Sequence, residues 1–200
     1  MDRQSLLSET SLPVALDINS VGITDELFQQ LCQDNEDLRL ELSAYGELII
    51  TPGAGGNTGL RNANITCQVT SWARSDATGL SFDSSTMFCL PNGAKRSPDT
   101  AWVRRVRWNA LTEEEQEGFV PLCPDFVLEL RSTTDSLMFL QDKMQEYIAN
   151  GAHLGLLIDP ASRQVYLYRP NQTEECLDDP QSVKGDPLMP GFVLELKDIW

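Results

Sequence analysis

The run Phe126-Val127-Leu128-Glu129-Leu130 constrains this chain more than any other stretch. Four large apolar residues in five read as a strand buried on both faces. A carboxylate inside such a strand is costly unless something pairs with it. Upstream, Ser97-Pro98-Asp99 puts a second carboxylate into a strand-like stretch. Two carboxylates on neighbouring buried strands can share a divalent cation, one partner able to offset their burial.

The 200 residues suit one domain with a sizeable core. Residues 1–22 show no periodicity and are expected to be irregular, leaving a single domain over 23–200. No 18-residue apolar run occurs, so no membrane span is expected. The start Met1-Asp2-Arg3-Gln4-Ser5 lacks the basic-then-apolar layout of a secretory signal, which predicts a cytoplasmic protein. The N-x-T triplets at Asn64 and Asn171 are then chance matches.

The formal net charge is −15 and the pI is near 4.3, a balance that repels nucleic-acid phosphate at long range. Arg104, Arg105 and Arg107 read either as a local basic patch on this acidic body or as a solvated loop. The five cysteines, at 32, 67, 89, 123 and 176, form no C-x-x-C and support neither a zinc knuckle nor a redox motif. The single histidine, His153, has no nucleophile elbow to serve.

Thr24 reads as the N-cap of a helix with Leu27, Phe28 and Leu31 on its apolar stripe. Leu38–Leu42 and Glu47–Thr51 form a hairpin through Tyr45-Gly46. The segment Pro52-Gly53-Ala54-Gly55-Gly56-Asn57-Thr58-Gly59 resembles a phosphate loop only superficially. It lacks Gly-Lys-Ser/Thr, and Thr58 stands where G-x-G-x-x-G needs its last glycine. Asn57 or Thr58 is expected to cap a long helix ending near Ser75, with Ile65, Val69 and Trp72 inward.

Gly79–Phe82 and Thr86–Leu90 read as paired strands, and Arg96–Val106 as one strand carrying Asp99. A short acidic helix follows at Thr112–Gln116, then the strand Phe126–Arg131 and a helix over Asp135–Asn150 closed by Gly151. His153–Ile158 and Gln164–Tyr168 form a further pair. Residues 171–186 look loop-like, and Phe192–Leu196 is a last strand. Strands, hairpins and helices alternate irregularly, which predicts an α/β (α+β) class with a mixed central β-sheet flanked by helices.

This order of motifs resembles the PD-(D/E)XK nuclease superfamily, and more narrowly the Uma-two family of restriction endonucleases. The resemblance covers residues 24–196. It rests on Leu40-Glu41-Leu42 with Gly46-Glu47-Leu48, Arg96-Ser97-Pro98-Asp99, Pro124-Asp125-Phe126-Val127-Leu128-Glu129, Lys143-Met144-Gln145-Glu146-Tyr147, Leu156-Leu157-Ile158-Asp159-Pro160 and Pro190-Gly191-Phe192.

The resemblance implies a restriction-endonuclease-like fold and a metal-dependent DNA endonuclease. Asp99 and Glu129 would be the ligands of Mg²⁺ or Mn²⁺, hard cations that take one or two carboxylates plus waters and phosphate. The superfamily places a lysine two residues after the glutamate, where this chain has Arg131, on the same strand face as Glu129. The Uma-two pattern displaces that lysine to the following helix, here Lys143, leaving Arg131 as a phosphate clamp. Glu41 is either a third acid or a solvent-facing strand carboxylate, and Gln145 and Tyr147 are possible site-lining residues. Relatives carry a histidine in the glycine-rich loop, where this chain has Asn57-Thr58.

Double-strand cleavage by such folds needs two active sites, which implies a homodimer. The competing hypothesis is a degenerate nuclease fold acting as a non-catalytic binding or regulatory module, which the acidic balance favours. A two-carboxylate glycosidase explains neither Lys143 nor the motif order.

Overall fold

A computed structural model describes residues 13–51 and 53–200. Its spine is a six-stranded sheet in the order β11-β10-β9-β8-β7-β4. These strands are β4 (Gly79–Asp83), β7 (Thr100–Arg104), β8 (Phe126–Leu130), β9 (Leu154–Asp159), β10 (Gln164–Tyr168) and β11 (Glu175–Asp178). The sheet is mixed. β8 and β9 run parallel, and the other neighbours are antiparallel.

Helices cover both faces. Helix α2 (Gly56–Asp76) sets Ile65, Val69 and Ala73 into a core with Trp102, Phe126, Leu128 and Leu130. Helix α5 (Leu137–Ala149) sets Leu140, Met144 and Tyr147 against Ala101, Val103, Val127 and Leu157. The period-2 alternation of β8 therefore sends its even-numbered residues to α2 and its odd-numbered ones to α5. Glu129 belongs to the α5 side by this rule. Gly155 on β9 has no side chain because Met144 of α5 fills the space a Cβ would need, and this close approach seats the helix on the sheet.

A second, five-stranded antiparallel sheet has the order β1-β3-β2-β6-β5. It comprises β1 (Val14–Asp17), β2 (Arg39–Leu42), β3 (Glu47–Thr51), β5 (Phe88–Cys89) and β6 (Lys95–Arg96). Helix α1 (Asp25–Asp34), capped by the Thr24 side chain, packs Phe28 on it. Short helices α3 (Arg105–Trp108) and α4 (Glu113–Glu117) connect β7 to β8, and a small hairpin of β12 (Ser182–Lys184) and β13 (Val193–Glu195) closes the chain.

Several local expectations are corrected. Residues 14–17 are not irregular. They form β1, hydrogen-bonded to β3, while residues 1–12 of the expected irregular segment lie outside the described residues. Gly79–Phe82 and Thr86–Leu90 do not pair with each other. Leu80 of β4 faces Val103 of β7, and Phe88 of β5 faces Arg96 of β6, in the other sheet. The turn between them closes on Asp83, whose carboxylate accepts from Ser85 N at 3.0 Å.

The expected single strand Arg96–Val106 is broken at Ser97-Pro98-Asp99. Proline brings no N–H to a ladder, and here the chain leaves one sheet for the other. Residues 171–186 include two strands. Helix α2 begins after Gly55 with no side-chain cap, so neither Asn57 nor Thr58 caps it.

Candidate active site

The break at Pro98 places Asp99 where the two sheets meet. The β7–β8 register pairs Thr100 with Leu128, so Asp99 and Glu129 come next at one end of this strand pair. Both carboxylates are buried. Asp99 Oδ2 accepts from the Leu130 backbone N–H at 2.8 Å, and Oδ1 accepts from Arg39 Nη1 at 2.8 Å and from Asn62 Nδ2 at 3.4 Å. Arg39 also donates to the Ser97 carbonyl.

Lys143 reaches this pair from α5. Its Nζ lies 2.8 Å from Glu129 Oε1 and 2.9 Å from Glu41 Oε1. Tyr147, one helical turn on, donates its hydroxyl to the same Glu129 oxygen at 3.0 Å. Residues four apart share a helix face, so Lys143 and Tyr147 address the acid together. Gln145 lies about 200° from both and is exposed. The reading of Gln145 as a site-lining residue is corrected on that geometry.

Glu41 is not a solvent-facing strand carboxylate. It is buried, accepts from the Ser97 N–H at 2.8 Å, and lies 3.4 Å from Arg96 Nη1. Arg96 in turn holds Glu146 at 2.6 Å. The chain of charges Glu129–Lys143–Glu41–Arg96–Glu146 thus runs from the motif strand through both sheets to α5. Buried ions persist only when paired and hydrogen-bonded, and each of these is.

The carboxylates titrate in opposite directions. Burial pushes Glu129 up, and Asp99 and Glu41 add to the rise while Lys143 opposes it. Burial acts on Glu41 too, but Lys143, Arg96 and Arg39 outweigh it and hold Glu41 below the usual carboxylate range. Divergent environments of this kind separate a proton-binding group from a permanently ionised one.

Arg131 is not beside the two acids. Its Nη1 lies 2.7 Å from Asp159 Oδ2, and its Nε donates to the Asp135 carbonyl at 3.1 Å. Arg39 is the guanidinium on Asp99. The alternation of β2 contained the signal, because Arg39 and Glu41 share a strand face.

The Arg104/Arg105/Arg107 cluster is not at this end either. Arg104 and Arg107 lie 3.4 and 3.0 Å from buried Asp125, which precedes β8 and so sits at the opposite strand end from Glu129. His153 is there as well, 3.9 Å from Asp125.

Among the described residues no group of three or more His, Cys, Asp and Glu side chains is arranged to hold a metal ion. A hard cation such as Mg²⁺ needs only one or two carboxylates, its remaining positions going to water and substrate phosphate. Asp99 and Glu129 meet that need in number and chemistry, and Glu129 Oε2 accepts no hydrogen bond among the described residues. The donor set fits such an ion.

The mixed sheet between two helices, with an aspartate, a glutamate and a lysine converging at one strand end, defines a restriction-endonuclease-like protein. The family described as "Uma2: Putative restriction endonuclease" matches residues 25–197, and the chain belongs to it. Among solved structures it is similar to the crystal structure of a putative nuclease of the DUF820 group from Anabaena variabilis. Identity is 22% and the TM-score 0.73, over 88% of this chain and 97% of that one. No curated protein matches the chain. Among the described residues no helix is long and apolar enough to cross a membrane.

Proposed function

We propose that this protein is a Mg²⁺- or Mn²⁺-dependent endonuclease that hydrolyses phosphodiester bonds in DNA. The observation that carries the reading is the convergence of buried Lys143 on Glu129, with Asp99 at the same strand end. Asp99 and Glu129 would hold the cation, which supplies Lewis acidity toward a phosphoryl oxygen and a bound water.

The residues of the chain do the rest. Glu41 holds the Lys143 ammonium together with Glu129. That leaves a preorganised cation beside the place where charge develops on the phosphoryl group. Tyr147 restrains Glu129 Oε1 through its hydroxyl. Arg39 and the Leu130 N–H orient Asp99.

A homodimer with two such sites would cut both strands of a duplex. The five free cysteines fit the reducing conditions of a cytoplasmic location.

The test is nicking of supercoiled plasmid with added Mg²⁺ or Mn²⁺. Wild type should cut, and Asp99→Ala, or excess chelator, should stop it. Undiminished cutting in chelator would refute metal dependence. A wild type that binds DNA and cation without cutting would leave the competing role, a non-catalytic binding module.

A further inference from the structure

Asn62 stands out because half of its amide is unaccounted for. It projects from the second turn of α2 toward Asp99. Its Nδ2 contact with Asp99 Oδ1 is long, at 3.4 Å, and that oxygen already receives Arg39 at 2.8 Å. Its Oδ1 is sealed from solvent and has no hydrogen-bond partner among the described residues. A buried carbonyl without a donor is costly, and native structures rarely leave one so without an ion or water to meet it.

Rotating the amide by half a turn exchanges its two heteroatoms with little change of shape. The oxygen would then face the Asp99 carboxylate. Two acceptors face each other stably only with a cation or a donor such as a water between them, and at a site fit for a cation its bound water is such a donor. As placed, the oxygen lacks a donor among the described residues; in the rotated orientation a cation at Asp99, directly or through its water, would meet both oxygens.

The position is also built rather than incidental. Thr66, one turn further along α2, bonds Thr100 of β7 at 2.9 Å, and Ile65 and Val69 lock the same helix into the core. The helix cannot roll away from Asp99 without breaking these contacts. Groups held by packing in this way keep the geometry a ligand needs.

We infer that the Asn62 amide oxygen serves the cation of the Asp99–Glu129 pair, directly or through one of its waters, as a third oxygen on the site. This rests on the metal-dependent reading above. It makes Asn62 a positioning residue of the site, contributed by a helix that carries no part of the motif.

The test is calorimetric titration of Mn²⁺ into the full chain, with thermal melts of the metal-free proteins as the folding control. Wild type should bind, and Asp99→Ala should not. Asn62→Ala should weaken Mn²⁺ by about tenfold or more, the usual scale for an outer group supporting a metal site. Asn62→Asp should bind at least as tightly as wild type, because it supplies oxygen toward the cation, even though its metal-free form melts lower. A simple brace between α2 and Asp99 would weaken binding in both variants, since both lose the N–H donor. That result overturns the inference, as does an Asn62→Ala affinity within twofold of wild type. Both leave the metal reading standing if Asp99→Ala has lost binding. Absence of Mn²⁺ binding by folded wild type removes the metal reading and the inference together.

Discussion

Lys143 Nζ lies 2.8 Å from Glu129 Oε1, although a turn and two helical turns of chain separate the two residues. The same ammonium is 2.9 Å from Glu41, so one cation compensates two buried carboxylates from different sheets. It is therefore a structural element and, on the proposed function, a chemical one as well.

Lys143→Met tests the two roles separately. It leaves Glu41 and Glu129 buried without their shared partner, and breaking such a pair costs about 3–5 kcal/mol. Urea denaturation of the metal-free protein should show a loss of that order. In conditions where the variant is folded, Mn²⁺ affinity should persist while plasmid cutting is lost. Full cutting activity in folded Lys143→Met would remove the lysine from the chemistry.

Glu129 predicts a pH dependence in the metal-free protein. Burial, aided by Asp99 and opposed by Lys143, lifts it from 4.5 to about 7. A raised group holds its proton more tightly in the folded state. Its contribution is fully present below the unfolded value and is lost as pH rises through the folded one. Stability should therefore fall between about pH 4.5 and 7, by at most about 1.4 kcal/mol per pH unit. Glu129→Gln should remove this component, seen as a wild-type-minus-variant difference in urea stability that changes across the window. A difference independent of pH would contradict the assignment.

Arg131 and Arg39 should behave differently. Arg131→Ala loses the contact to Asp159 and should cost about 1–3 kcal/mol of stability while cutting changes little. Arg39→Ala frees a buried Asp99 oxygen and should change Mn²⁺ affinity as well as stability. Comparing kcat and Mn²⁺ affinity for the two variants decides which arginine belongs to the site. An Arg131→Ala variant with normal stability and abolished cutting would restore Arg131 as the phosphate clamp.

Arg104 and Arg107 compensate buried Asp125. Arg107→Ala should lower the melting temperature and leave the salt dependence of DNA binding unchanged, because a residue that neutralises a phosphate contributes about one unit to that slope. A reduced slope with unchanged stability would mark the cluster as a DNA contact.

Sequence alone marked Asp99, Glu129 and Lys143 as candidates for the chemistry and determined most of the helices. The Phe126–Leu130 run is a buried strand because nothing but a two-sided core accommodates it. The Thr24 cap, the Leu140/Met144/Tyr147 stripe and the glycine after α5 are local signals, and they survive into the structure. Proximity in the chain gave the β2–β3 and β9–β10 hairpins but not the partners of β4 and β5. Gly79–Asp83 and Phe88–Cys89 join different sheets, and the break at Pro98 is what carries the chain between them.

The charges followed the same division. Glu41 is legible as an acid, but its pairing with Lys143 and Arg96 exists only because two sheets and a helix converge at one point. Arg131 shares a strand face with Glu129 by alternation, yet Asp159, brought alongside by the parallel β8–β9 pairing, draws its guanidinium elsewhere. Arg39 and Asn62 carry no motif signature. They reach Asp99 because long-range packing of β2 and α2 delivers them there, and the desolvation of a buried carboxylate makes each such neighbour count.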